Sequence, residues 1–331
     1  MPTKIKKESL KIIFKIFGYL VTLLAIVFVF WKTYNNWSKI IGMLFTQHRL
    51  AGPILGIFLY PLLFILIVFS WKLLISGLSG KITFKNSFVI YGKAQIAKYI
   101  PGNVFHYIYR LLQSKKRGIS QEIIINSIFI ETILLITVAI IYFIISIFIF
   151  NWLDIVFFEA KKLLFIILIA VIILIFIFLI FKFSPKWKKW LFSNKIAVKL
   201  NYIDKNKLTI NILLTITMYF VFFIGIGSFL WFLARYLWAD NNGPTLFIMS
   251  YAIAWVMGTV TVGAPGGIGI REAILVILLS NYIGEDKSLA LALLFRLITV
   301  LGDCVFYLIA NLVNLNFKST GIKFINLFRK F

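Results

Sequence analysis

Leu163-Leu-Phe-Ile-Ile-Leu-Ile-Ala-Val-Ile-Ile-Leu-Ile-Phe-Ile-Phe-Leu-Ile-Phe181 contains no charged or hydrogen-bonding side chain. A run of this length matches the roughly 20 apolar residues that cross the hydrocarbon core of a bilayer. Lipid offers no partners to open backbone groups, so such a run must satisfy its own N–H and C=O groups as a helix. Ile12 to Trp31 is a second, mainly apolar run of this length, with Lys15, Tyr19 and Thr22 within it, and the same reasoning makes it a helix.

Working outward, the whole chain has this character. Of its 331 residues 61% are hydrophobic and only 14% charged, well above the roughly 45–50% apolar content of soluble domains. The expected fold class is an all-α integral membrane protein, a single polytopic membrane domain over 1–331. Apolar spans are predicted at 12–30, 53–75, 122–149, 163–181, 208–233, 246–262, 264–281 and 289–313, about eight crossings. The lysines before the first run resemble a signal peptide, but the run ends in Phe28, Val29, Phe30 and Trp31 without a small-residue cleavage site. It is read as a retained span.

The net charge of +24 would suggest nucleic acid in a soluble protein. Here the lysines lie between apolar spans and at the termini, where anionic lipid headgroups are the natural counter-charge. The N-terminus, the 78–117 segment, the 182–207 segment with its eight lysines, and the tail with Lys318, Lys323, Arg329 and Lys330 are strongly basic. An even number of crossings between them puts all four on one side. The excess of lysine and arginine on that side places both termini in the cytoplasm of a multi-pass cell-membrane protein. Lys32, Lys39 and Arg49 fit that pattern less well. Residues 185–203 mix Trp and Lys as an amphipathic cytoplasmic helix in the headgroup layer does.

Two stretches break the apolar pattern. Residues 87–112 are too polar to span and too apolar for a free loop, which suits a re-entrant hairpin held inside protein. That segment contains Pro101, Gly102 and Asn103, and the opposite half of the chain contains Pro265, Gly266, Gly267 and Gly269 at the start of a short, broken helix over about 264–281. Gly/Pro-interrupted segments in both halves of a membrane chain mark a transporter's binding site, because half-helix ends leave amides free to meet an anion. Taken singly, either motif could be a packing kink.

Charges inside the spans point the same way. Glu131, Arg271, Glu272, Arg296 and Asp303 would each cost about 2.5–3.5 kcal/mol facing lipid at mid-depth, so they face the bundle interior, and Arg110 follows the first break as Arg271 follows the second. Arg296 and Asp303 are two helical turns apart on one face. Asp303 is expected to balance Arg271, and Glu131 or Glu272 to balance Arg296. The bland alternative is that these residues only staple helices together. His106, beside the first break, is a weaker candidate for headgroup contact. Cys304, the single cysteine, suits helix packing. Two histidines and one cysteine make no plausible zinc set, and no nucleophile elbow or phosphate loop is present. No metal, cofactor or catalytic residue is therefore expected.

The two breaks carry a family resemblance. Ala97-Lys-Tyr-Ile-Pro-Gly-Asn-Val-Phe-His-Tyr-Ile-Tyr-Arg110 and Ala264-Pro-Gly-Gly-Ile-Gly-Ile-Arg-Glu-Ala273 resemble the two signature stretches of the lysylphosphatidylglycerol synthase transmembrane region, a flippase-like membrane domain. The resemblance implies a lipid translocator. In the full synthase this domain is joined to an aminoacyltransferase. The chain runs only to Phe331 after its last span, so that domain is expected to be absent and lysyl-lipid synthesis is not implied. Stand-alone members are associated with cell-envelope glycan and glycolipid pathways.

Three functions remain open on the sequence. The first is a translocator of an aminoacylated or anionic phospholipid, or of a lipid-linked glycan intermediate, past a cavity lined by Arg110, Arg271, Glu272, Arg296 and Asp303. The second is an integral-membrane transferase with Glu131, Glu272 or Asp303 as general base. The third is a non-transporting membrane partner of a glycosyltransferase or other lipid-modifying enzyme. Membrane lipids are partners in each, and nucleic acid in none.

Overall fold

The computed structural model describes residues 31, 34, 50–100, 104–150, 204–261 and 264–315. The predicted spans 12–30 and 163–181, the amphipathic segment 185–203, and Pro101, Gly102 and Asn103 lie outside them. Within them the chain is helical: α1 (Ala51–Gly77), α2 (Phe84–Ala97), α3 (Phe105–Lys115), α4 (Gln121–Phe150), α5 (Lys205–Trp238), α6 (Pro244–Val260), α7 (Ile270–Ile283) and α8 (Glu285–Leu315). A single 3₁₀ turn, Pro265–Gly267, precedes α7. Among the described residues five segments are long and apolar enough to cross a membrane: α1, α4, α5, α8 and Pro265–Ile283. The protein is an all-α, multi-pass membrane protein.

The helices pack as apolar helices in lipid must, by close approach rather than by a solvent-driven core. α1 packs against α5, α8, α2 and α4, and α6 lies against α5, α4 and α7. The buried stripe of α1 runs Gly52, Gly56, Tyr60, Phe64, Val68, Trp71 and Ile75, one residue per turn. A Cβ at Gly302 of α8 would sit 2.6 Å from the Tyr60 ring, so the missing side chain is what lets α8 seat on α1. The opposite faces expose Ile54, Phe58 and Leu62 on α1, Leu213 and Val221 on α5, and Leu308 and Leu312 on α8. Apolar surface of that extent marks contact with lipid.

α2 with α3, and α6 with α7, are the short elements. At 1.5 Å per residue these helices reach about 21, 17, 26 and 21 Å, against roughly 30 Å of hydrocarbon core, and α7 reaches spanning length only together with the turn before it. Each pair packs arm against arm, as a helical hairpin. The base of the second hairpin is tied where Asn242 Nδ2 donates to the Tyr282 carbonyl at 3.4 Å. Trp231 Nε1, near the end of α5, donates to the Asn242 carbonyl at 2.8 Å. At the other end of the molecule, Thr83 and Asn86 at the start of α2, Arg117 after α3, and Lys207 at the start of α5 line one cavity. The two hairpins therefore enter from opposite ends of α5. The basic segments 78–117 and 182–207, expected on one side, do bring residues to the same end.

Candidate functional site at the meeting of two hairpins

The hairpin tips meet beside α8. Gly266 and Gly267 have φ of 58° and 75°, and Gly269, the residue capping α7, has φ 84°. These left-handed values are open to glycine at little cost, and they turn the chain within a few residues from α6 into α7. A Cβ at Gly266 would lie 3.1 Å from the Tyr99 ring of the first hairpin, so one tip rests on the other. The Gly266 carbonyl accepts from Arg296 Nη2 at 3.1 Å. Arg296 lies about 17 Å along α8 from Glu285, and Asp303 about 18 Å from Leu315. The tips therefore meet near the middle of α8.

Five charged side chains gather there. Glu272 accepts from the Gly269 N–H at 2.6 Å, capping α7, and its other oxygen lies 3.3 Å from Arg296 Nε. Asp303, fully buried, accepts from Tyr99 Oη at 2.5 Å, and its Oδ2 is 2.6 Å from Lys98 Nζ. The Arg296 guanidinium lies 5.7 Å from the Tyr99 ring centre. Tyr99 thus touches both Arg296 and Asp303, which are two turns apart on α8. Asp303 Oδ1 is buried and has no hydrogen-bond partner among the described residues.

Arg271 differs from its neighbours. Among the described residues it has no carboxylate within 4.0 Å, and its buried Nε has no hydrogen-bond partner. Nη2 reaches only Thr259 Oγ1, at 3.4 Å, and the guanidinium stands 5.8 Å from the Trp255 ring centre. Gly258 makes room for it, since a Cβ there would lie 2.7 Å from Arg271 Nε. Lys98, Arg271 and Arg296 face Glu272 and Asp303, which leaves the cluster one positive charge in surplus.

The remaining pair is separate, and its cation meets a carboxylate directly, with only Arg110 Nε left without a hydrogen-bond partner among the described residues. Arg110 of α3 forms an ion pair with Glu131 of α4, and each residue is 2% exposed. Tyr91 Oη donates to Glu131 at 2.7 Å. The guanidinium is 4.2 Å from the Trp71 ring centre and 4.4 Å from that of Tyr91, and Trp71 Nε1 donates to Ser127 Oγ at 3.0 Å. This box fastens the first hairpin to α1 and α4.

The expected pairings are corrected in part. Glu272 does balance Arg296, but Asp303 is held by Lys98 rather than Arg271, and Glu131 serves Arg110 rather than Arg296. The long Lys98 side chain comes from the end of α2, whereas Arg271 leaves α7 toward Gly258 and Trp255. Lys98 and Tyr99 were not singled out among the candidates, although both lie in the first signature stretch. Their position beside a backbone break was the available signal. Arg110 and Glu131 are spent on each other, so they do not share the tip cluster. Pro265, Gly266, Gly267 and Gly269 form the turn itself. His106, in the first turn of α3, has a buried Nδ1 without a hydrogen-bond partner among the described residues.

No curated protein matches the chain. A family model described as "Lysylphosphatidylglycerol synthase TM region" matches residues 15–305. The match takes in both hairpins, the tip cluster and the Arg110–Glu131 box, and the chain belongs to the lysylphosphatidylglycerol synthase TM region family.

Proposed function

We propose that the protein is a lipid translocator, a single membrane domain in which the polar head of an amphiphilic lipid passes the place where the two hairpin tips meet. The observation that carries this reading is Arg271: a partly buried guanidinium beside two opposed backbone breaks, with no counter-charge among the described residues. A phosphate is its natural partner, because the planar fork binds two oxygens and stays charged when desolvated. The surplus positive charge of the cluster would be cancelled by one anionic head. The uncommitted Asp303 Oδ1 would accept from an amine on an aminoacylated head or a hydroxyl on a glycan. Opposed short hairpins meeting at mid-depth suit alternating access from either face. In this reading the protein sits in the cell membrane with its basic segments and termini in the cytoplasm.

The transferase reading has less support, since Glu131, Glu272 and Asp303 each already face a cation, and a general base needs a free carboxylate within reach of its proton. Native mass spectrometry of the detergent-purified chain tests the proposal. One bound copy of an anionic or aminoacylated phospholipid, or of a polyprenyl-linked sugar, should be retained at the tips and should be lost in Arg271→Ala. Reconstituted vesicles should then exchange that lipid between leaflets faster than empty ones. Equal rates across several lipid classes would count against translocation, and a covalently altered lipid would favour the transferase. A non-transporting partner of a glycosyltransferase would keep its cellular role with Arg271 neutralised.

A further inference from the structure

A second charged cavity lies away from the hairpin tips, where α1 ends, α2 begins, α3 has just ended and α5 begins. Its volume is about 680 Å³, within the roughly 300–1,000 Å³ of small-molecule sites. Lys72, Lys81, Arg117 and Lys207 line it against one acid, Asp204. That acid is already engaged, because its Oδ1 caps α5 by accepting from the N–H groups of Asn206 and Lys207 at 3.0 and 3.1 Å. Among the described residues none of the four cations has a carboxylate within 4.0 Å.

Structural roles account for only part of this charge. Lys72 lies 5.2 Å over the Phe69 ring, an attraction a cation gains from the ring face. Arg117 spends one donor on the Gln113 carbonyl at 3.2 Å. The rest of the Arg117 fork, Lys81 and Lys207 have no such use. The N-termini of α2 and α5, capped by Thr83 and Asp204, add positive potential at the same place. Phe84 and Ile210, both exposed, stand next to Thr83 and three residues beyond Lys207, so apolar surface adjoins the charge.

We propose that this cavity is a second anion site, which binds the phosphate of a headgroup whose acyl chains lie along the neighbouring apolar surface. It does not rest on the role given to Arg271. The same phosphate chemistry also fits a soluble phosphorylated molecule, and the experiment separates the two. The full chain in detergent is incubated with phosphatidylglycerol, phosphatidylcholine or glycerol phosphate and examined by native mass spectrometry. Wild type should retain phosphatidylglycerol over phosphatidylcholine. The Lys81→Gln/Arg117→Gln/Lys207→Gln variant should lose about tenfold or more in that retention, since each surface cation contributes measurably to anionic-lipid binding. Lys81→Arg/Lys207→Arg, which keeps the charge, should behave as wild type, and Arg271→Ala should leave this binding in place. Glycerol phosphate bound alone, and lost in the triple variant, would keep the site and make its ligand soluble. Equal retention of all three probes, or an unchanged triple variant with wild-type thermal stability, would overturn the proposal.

Discussion

The Arg110–Glu131 box and the hairpin-tip cluster both bury arginine beside glutamate, yet they differ in how completely the charge is used. In the box, the cation, the carboxylate, two aromatic faces and a tyrosine hydroxyl close on one another. At the tips, the contacts run through a broken backbone, one carboxylate oxygen lacks a partner, and one guanidinium is left without an acid. In the box the buried cation meets its counter-charge, although Arg110 Nε has no hydrogen-bond partner among the described residues, and the pair holds helices together. A buried charge left without its counter-charge is available to a ligand.

The largest effect should come from breaking the box. Glu131→Ala leaves Arg110 buried without a counter-charge and should cost about 3–5 kcal/mol, read as a fall in thermal stability in detergent and loss of monodisperse protein. Replacing both partners, Arg110→Met with Glu131→Leu, should recover most of that loss, because a buried pair is often no better than well-packed apolar residues. Failure to recover would give the box a role beyond stapling.

Next in size is Asp303→Asn, which weakens the charge-assisted bonds from Lys98 and Tyr99 and should cost about 1.5–3 kcal/mol. Its unfolding midpoint should fall between those of wild type and Glu131→Ala. Arg271→Ala removes a cation that stabilises little, so the midpoint should move by less than about 1 kcal/mol while the lipid copy held at the hairpin tips is lost. A midpoint as low as that of Glu131→Ala would erase the distinction between the two regions. The smallest effect on lipid retention is that of Gly258→Ala, whose new methyl must push Arg271 aside. It should weaken lipid retention with a stability cost of about 1–3 kcal/mol at most, and Arg271→Lys should not restore full retention, since a point charge lacks the fork.

The long helices could be read from the sequence because hydrophobic length is a one-dimensional property. The span predicted at 53–75 is α1, 122–149 is α4, 208–233 is α5 and 289–313 is α8, each within a few residues. Both interruptions were legible for the same reason, as Pro and Gly announce a break locally. Which charge meets which was not, because it depends on the rotation of helices far apart in the chain. Tyr99 and Asp303 are separated by 204 positions, and nothing near either one names the other. Trp71 and Tyr91 escaped notice because an aromatic residue in an apolar run has the hydropathy of a lipid-facing residue, even where its ring covers a guanidinium.

The surplus cation at the hairpin tips has an electrical consequence. An empty site carries one net positive charge, and a site holding a singly anionic head carries none. If the tips shift across the membrane's electric field, that field works on the empty form at about 2.3 kcal/mol per 100 mV and leaves the filled form nearly untouched. The transmembrane voltage would then set how fast the unloaded protein resets while barely affecting the loaded passage, and Arg271→Ala would remove that sensitivity.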